Sequence, residues 1–246
     1  MSETARLLAA ARDDPALVLL EGFHALKHAQ RFGAEILLAV SADPDGTRAL
    51  AGALAPDLDL GRVVGVARAA LGPRPHPTQV LAIARRPAAP RELAPGLVVL
   101  LEDPRQPGNL GAVVRVAAAA GAAAVLATGT RDPWDPAALR GSAGLHFALP
   151  VARAADPPRD RPLVAVHPDG DPLDTLPDHA TLAFGTERHG LSAATLARAD
   201  ARVGIPMRPG VSSLNLATAV AVALYMARSG FSQRSIVQTG RRPTDS

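Results

Sequence analysis

Three segments in the second half of the chain set glycine, amide, hydroxyl and charged residues directly after apolar runs. The first is Leu100-Leu101-Glu102-Asp103-Pro104-Arg105-Gln106-Pro107-Gly108-Asn109-Leu110-Gly111-Ala112-Val113-Val114-Arg115. Asn109 stands where it can cap a helix. Arg115 follows six residues later among Val113, Val114, Val116 and Ala117, so its guanidinium either snorkels to the surface or is held in a cleft against an anion such as phosphate. The second segment, Leu182-Ala183-Phe184-Gly185-Thr186-Glu187-Arg188-His189-Gly190-Leu191-Ser192, reads as a strand entering a glycine-bounded turn. Glu187 at its crest is either a helix-start charge, worth about 0.3 to 1 kcal/mol, or an acceptor in a site. The third runs Ile205-Pro206-Met207-Arg208-Pro209-Gly210-Val211-Ser212-Ser213-Leu214-Asn215-Leu216-Ala217-Thr218-Ala219. Ser212 or Ser213 can cap the helix that follows, and Asn215 in its first turn is unexpected because Asn is a poor helix former. Loops at the carboxyl ends of parallel strands gather ligands, so all three segments can converge on one site.

Such loops need a frame, and the apolar pattern predicts one. Runs at 16–20, 36–40, 63–66 and 80–84, each bounded by Gly, Pro or Asp, read as strands. Phe23, Leu26 and Ala29 fall near a 3.6 period and predict a helix over 22–32 that joins neighbouring strands. Pro87, Pro90 and Pro95 then mark a break. We read 1–90 as a small α/β domain, 91–96 as a linker, 97–230 as a second α/β domain and 231–246 as a flexible tail. In the second domain strands are expected at 97–101, 124–128, 147–151, 163–167, 182–185 and 202–205, with helices at 110–120 and 213–228. Their alternation implies a largely parallel sheet.

Composition narrows the chemistry. Hydrophobic residues make up 48% of the 246 but aromatics only 3%, so Ala, Val and Leu must build the core. Cysteine is absent, which excludes disulfides, thiolate zinc sites, iron–sulfur clusters and a cysteine nucleophile. Basic residues exceed acidic ones by 26 to 23, with Lys27 the single lysine; that excess permits a polyanion partner without diagnosing one. No basic start leads into an apolar signal core, and Arg115, Gly121, Asn215 and Thr218 interrupt the longest apolar stretches. A cytoplasmic protein with no membrane partner is expected. Glu21, His24 and His28 share a helical face but lack the further ligands a metal site needs, so no metal is expected. Pro107-Gly108-Asn109-Leu110-Gly111 lacks the GxGxxG spacing of a nicotinamide-binding turn.

Taken in order, the three segments resemble the motifs of the SpoU, or TrmH-like, branch of the SPOUT RNA methyltransferases. The resemblance covers 97 to about 228 and includes Arg140-Gly141-Ser142-Ala143-Gly144. More loosely, Val18-Leu19-Leu20-Glu21-Gly22 and the helix after it are similar to the ribosomal-protein-L30e-like domain that many members carry in front. The resemblance implies an α/β protein with an N-terminal L30e-like RNA substrate-binding domain. A parallel-sheet SPOUT domain with a C-terminal deep trefoil knot would follow, in a homodimer that binds S-adenosyl-L-methionine. Gly185, Ile205 and Leu214 would line the cofactor loops, and Asn109, Arg115, Glu187, Ser213 and Asn215 match the polar positions around the reacting ribose. The implied reaction is 2′-O-methylation of RNA, of ribosomal RNA ahead of transfer RNA.

Overall fold

The computed structural model describes residues 3–173, 176–186 and 189–239. Its first half is built on a four-stranded sheet in the order β1-β4-β2-β3, from β1 (Leu17–Glu21), β2 (Ile36–Ser41), β3 (Val63–Gly65) and β4 (Val80–Arg85). The period-two alternation of a strand is visible in how it buries its residues. Val80, Ala82 and Ala84 of β4 face one apolar cluster, whereas Leu81 and Ile83 face another that holds Leu8 and Ala11 of α1 (Glu3–Asp13). Helix α2 (Phe23–Arg31) covers the opposite face with Phe23, Leu26 and Ala29. The expected helix is therefore present, but it does not join neighbouring strands. β4 inserts between β1 and β2 and pairs antiparallel with both, because hydrogen-bond pairing is decided by long-range contacts that a local run does not encode. Helix α3 (Pro44–Leu54) starts at Asp43, whose side chain accepts from the Gly46 N–H at 2.9 Å.

The second half is an all-parallel sheet of six strands, β10-β8-β9-β5-β6-β7. These are β5 (Val98–Leu101), β6 (Ala124–Ala127), β7 (Val151–Arg153), β8 (Leu163–Pro172), β9 (Thr181–Phe184) and β10 (Ala201–Gly204). Both faces of β5, β6 and β9 are buried, as their unbroken apolar sequences require. One face carries α4 (Pro107–Ala120) and α7 (Leu216–Thr239), packed through Leu110, Val113, Ala117, Val220 and Leu224. The other lies under α6 (Ala193–Arg198).

Three local expectations change. Residues 147–151 are not a strand: Leu145–Phe147 is a turn of 3-10 helix, and β7 begins only at Val151. Helix α7 begins at Leu216 rather than Ser213, and continues to Thr239 where a flexible tail is expected from 231. Its backbone meets no proline until Pro243, so nothing in that stretch removes a helical donor. Among the described residues no helix is long and apolar enough to cross a membrane.

The two halves share one apolar cluster, which includes Leu20 and Phe23 of the first and Leu110 and Leu139 of the second. The proline-rich segment after β4 is pinned by Arg86, whose two terminal nitrogens each lie 2.7 Å from Asp132 while its guanidinium stacks over Trp134 at 5.6 Å. Behind Trp134, in the turn that follows α5 (Pro136–Ser142), sits His146, 1% exposed. The carbonyl of Pro133, 2.9 Å from Nε2, can only accept, so Nε2 carries the proton and Nδ1 accepts from Ser142 Oγ at 2.7 Å. Burial pushes this ring down to about 4. In the native state it stays neutral as pH falls from about 6.5 towards 4, while the unfolded chain takes up the proton. Stability present above pH 6.5 should therefore be lost across that window, by about 3 kcal/mol in total. Urea unfolding of wild type and His146→Gln checks this: the variant should start less stable at neutral pH and show a shallower decline on mild acidification. Parallel slopes would refute it.

Candidate active site

The middle of β8 and the carboxyl ends of β9 and β10 surround a cavity of about 420 Å³, within the roughly 300 to 1,000 Å³ usual for ligand pockets. Gly185 and Thr186 follow β9, Ile205 and Met207 follow β10, and Ser213 and Leu214 lead into α7; all six line it. One wall is backbone against backbone. Thr186 and Gly190 exchange hydrogen bonds of 3.1 and 3.0 Å, which folds the loop onto itself. At Gly185 a Cβ would stand 1.9 Å from the Gly190 carbonyl carbon and 2.2 Å from the Leu191 nitrogen. No other residue fits unless that wall moves.

The loop is anchored from below by Glu102, the first residue after β5. Its carboxylate accepts from the Ser192 N–H at 2.6 Å, Ser192 Oγ at 2.7 Å and Thr195 Oγ1 at 2.5 Å. Burial opposes its charged form, yet those donors from Thr195 and Ser192 outweigh it and hold the carboxyl below its ordinary range. Ser192 also caps α6, accepting from the Thr195 N–H at 3.2 Å. Leu191, between this anchor and the bridge, faces both the cavity and the core.

Sequence reasoning passed over the contribution of β8. Its pairing with β10 jumps from Ala165 opposite Arg202 to Asp171 opposite Val203, and the five residues 166–170 bulge out. Bulges re-aim side chains, and this one turns Val166, His167 and Pro168 into the cavity. The signal was present: Pro168 and Gly170 stand within four residues of an apolar run, which is the mark of a strand that bends. Glu102 was legible too, as a carboxylate at a strand end for which Ser192 and Thr195 supply capping hydroxyls.

Of the predicted site residues, Gly185, Ile205, Ser213 and Leu214 meet in the cavity, and Asn109, Arg115 and Asn215 do not line it. The second and third segments thus converge and the first stands to one side, because Asn109 and Arg115 ride on α4 at the end of β5 rather than on the strands that enclose the cavity. Asn109 does not cap α4: it is the third helical residue, after Pro107, and Gln106 holds the cap position. Arg115 is exposed on α4 and makes no ion pair with a described residue. Asn215 lies outside α7 and caps it, its Oδ1 accepting from the N–H groups of Ala217 at 3.0 Å and Thr218 at 3.4 Å. That explains an Asn at this point and removes Ser212 and Ser213 as caps. Glu187 lies outside the described residues. Neither Glu21 nor His28 is placed for a metal: Glu21 pairs with Arg140 at 3.0 Å, and His28 Nδ1 bonds the Ala143 carbonyl at 2.8 Å. Among the described residues no group of three or more His, Asp or Glu side chains is arranged to hold a metal ion.

Residues 96–225, more than half of the chain, match the SpoU rRNA methylase family. The chain is 34% identical to a 23S rRNA (uridine(2479)-2′-O)-methyltransferase of Streptomyces viridochromogenes, over 61% of this chain and 60% of that one. It is 35% identical to the 23S rRNA (guanosine(2553)-2′-O)-methyltransferase RlmP of Bacillus subtilis, over 62% of this chain and 65% of that one. It therefore spans just under two thirds of the length of these relatives. Among solved structures, the SpoU methyltransferase AviRb from Streptomyces viridochromogenes in complex with the cofactor AdoMet superposes with a TM-score of 0.76 at 25% identity. That superposition covers 94% of this chain and all of the other. With the motif segments in order and the fold shared almost end to end, the chain belongs to the SpoU rRNA methylase family.

Proposed function

We propose that the chain transfers the methyl group of S-adenosylmethionine to a ribose 2′-hydroxyl of RNA, and that the RNA is ribosomal. The observation that carries this reading is the cavity in which Gly185, Ile205, Ser213 and Leu214 meet at the carboxyl edge of the parallel sheet. It fits the cofactor chemically. Phe184, Leu191, Ile205, Met207 and Leu214 offer apolar surface to a purine, Ser212 and Ser213 offer hydroxyls, and the wall beside Gly185 brings backbone polar groups close. The relatives named above act on 23S rRNA, which favours ribosomal over transfer RNA.

S-adenosylmethionine supplies an electrophilic methyl group on a sulfonium. The chain has to hold the 2′-oxygen in line with the methyl–sulfur bond, so that an oxygen–carbon bond forms as the carbon–sulfur bond breaks, and the hydroxyl proton must leave. Arg115 stays protonated and so is not the acceptor of that proton. It grips a substrate phosphate and steadies the charge developing on oxygen. Asn109, Glu187, Ser213 and Asn215 shape the site by hydrogen bonding; with Oδ1 of Asn215 used as a cap, its amide Nδ2 is the group left to donate. No metal takes part in this scheme.

The wider reading completes the picture. Residues 1–90 act as an L30e-like domain that holds RNA, 91–96 link it to a SPOUT domain, and the C-terminal end of that domain is tied in a deep trefoil knot. Two copies pair in the cytoplasm through the last helix; of the apolar residues that would cover that contact Leu214 is exposed, as are Tyr225 and Met226, whereas Leu216, Val220 and Leu224 are buried within the chain's own core.

Transfer of labelled methyl groups from S-adenosylmethionine to ribosomal or transfer RNA, followed by nucleoside analysis, tests the function. A 2′-O-methylated nucleoside from ribosomal RNA is expected, with chelator present. Methylation of transfer RNA alone would overturn the ribosomal target, and RNA binding with no transfer would reduce the chain to a binding module.

A further inference from the structure

Helix α2 buries Phe23, Ala25, Leu26 and Ala29 and turns His24, Lys27 and His28, spaced i, i+3 and i+4, to one side. Lys27 is the single lysine of the chain, and with His76 ahead of β4 three of its seven histidines gather here. The His24 and His28 rings lie 6.3 Å apart. Burial lowers the pKa of both. Lys27 and Arg115 of α4 push each further down, as do His76 on His24 and His24 on His28. Among the described residues, every charged side chain acting on the two rings is thus a cation. On the α5 side, Glu21 is already engaged by Arg140 at 3.0 Å, and the group facing His28 is the Ala143 carbonyl.

The placement is rigid. Gly144 follows Ala143 with φ of 79°, and a Cβ there would stand 2.5 Å from the Ala25 carbonyl oxygen. The segment Arg140-Gly141-Ser142-Ala143-Gly144 therefore locks α2 of the first half against the second half, on which Arg115 stands. A cluster of like charge held this way, with no carboxylate among it, is stabilised by an anion that spans it.

We propose that His24, Lys27, His28, His76 and Arg115 form one face that grips the ribose–phosphate backbone of the substrate RNA across the two halves of the protein, a reading that rests on the function proposed above. The Ala143 carbonyl can only accept, so Nδ1 of His28 is its donor and Nε2 is the atom that takes up a proton. Phosphate beside the His24 and His28 rings reverses the field they feel and raises their pKa. Binding RNA therefore draws in protons, and affinity rises as pH falls through the histidine range.

The experiment is fluorescence anisotropy with a short labelled single-stranded RNA, across salt concentrations and between about pH 7.5 and about pH 5.5. Wild type should tighten on acidification by about two- to tenfold, and His24→Gln with His28→Gln should abolish that gain. Lys27→Ala should lower the slope of log affinity against log salt by about 1. Affinity for S-adenosylmethionine, measured on the same variants, should not move. A flat pH profile in wild type, or an unchanged salt slope in Lys27→Ala, overturns the face. Duplex DNA bound as tightly as RNA overturns the assignment to RNA. Methyl transfer is scored separately: if wild type methylates RNA and these variants bind it like wild type, the face fails and the proposed function stands.

Discussion

Gly185→Ala is expected to weaken S-adenosylmethionine binding by about 10²-fold while leaving the protein folded. The added methyl carbon meets backbone on every near side: the Gly190 carbonyl carbon at 1.9 Å, its oxygen at 2.2 Å and the Leu191 nitrogen at 2.2 Å. None of these is the free end of a side chain that could swing away. To admit the methyl group, the loop must either break the two hydrogen bonds between Thr186 and Gly190 or shift as a body. The second route is blocked one residue on. Leu191 is 6% exposed in the core, and Ser192 is tied to Glu102 by two bonds of 2.6 and 2.7 Å. The wall therefore deforms towards the cavity, and misplacement of about 1 Å in a positioned site costs roughly 10²-fold. Two lost neutral hydrogen bonds cost about 1 to 3 kcal/mol, which a domain of this size survives. Calorimetric titration of the cofactor reads the effect, with circular dichroism to confirm folding. Affinity within a few-fold of wild type would mean that the ligand does not rest on this wall.

The same loop shows what sequence reasoning can reach. Gly185 was legible as the glycine that ends an apolar strand and opens a turn, a pattern that a plain turn explains as well as a site does. That Gly185, Ile205 and Leu214 line cofactor loops was implied by the resemblance to the SpoU motifs, whereas the rule that loops after parallel strands share an edge said only that the three segments can converge. The pairing of β4 between β1 and β2 was not legible, since Val80 to Ala84 reads alike as an edge or a central strand. The bulge at 166–170 was legible only in part: Pro168 and Gly170 mark a strand that bends, but β8 keeps its apolar pattern up to Val166 and only its partner β10 reveals the skipped register. Asn215 shows a different gap. Local rules mark it as odd inside a helix and favourable at a cap, and the choice turned on a boundary three residues wide, which periodicity does not resolve in an apolar run. The position of Arg115 depended on α4 packing by Val113, Val114 and Ala117, which leaves the residue between them on the outside.

That outward position makes Arg115→Ala the sharper test of chemistry. Arg115 is on α4 and absent from the lining of the cavity, so cofactor affinity should stay near wild type in the variant. Loss of one preorganised donor where charge develops costs about 2.7 to 4 kcal/mol, so single-turnover methylation at saturating RNA should slow by roughly 10² to 10³-fold. Arg115→Lys should restore little, because an ammonium is a point charge and lacks the planar fork that holds two oxygens at once. Saturating RNA is the deciding condition. A residue that only holds distant phosphate loses its effect there, since added RNA compensates for weaker binding. A residue that serves the reacting ribose keeps its effect, because the deficit lies in the step after binding. If the loss in Arg115→Ala disappears at high RNA, or Lys restores the rate, Arg115 is one more phosphate contact of the face it shares with His24, Lys27 and His28. If cofactor affinity falls as steeply as rate, α4 contributes to the cavity in a way its present lining does not show, and the assignment to the ribose is wrong.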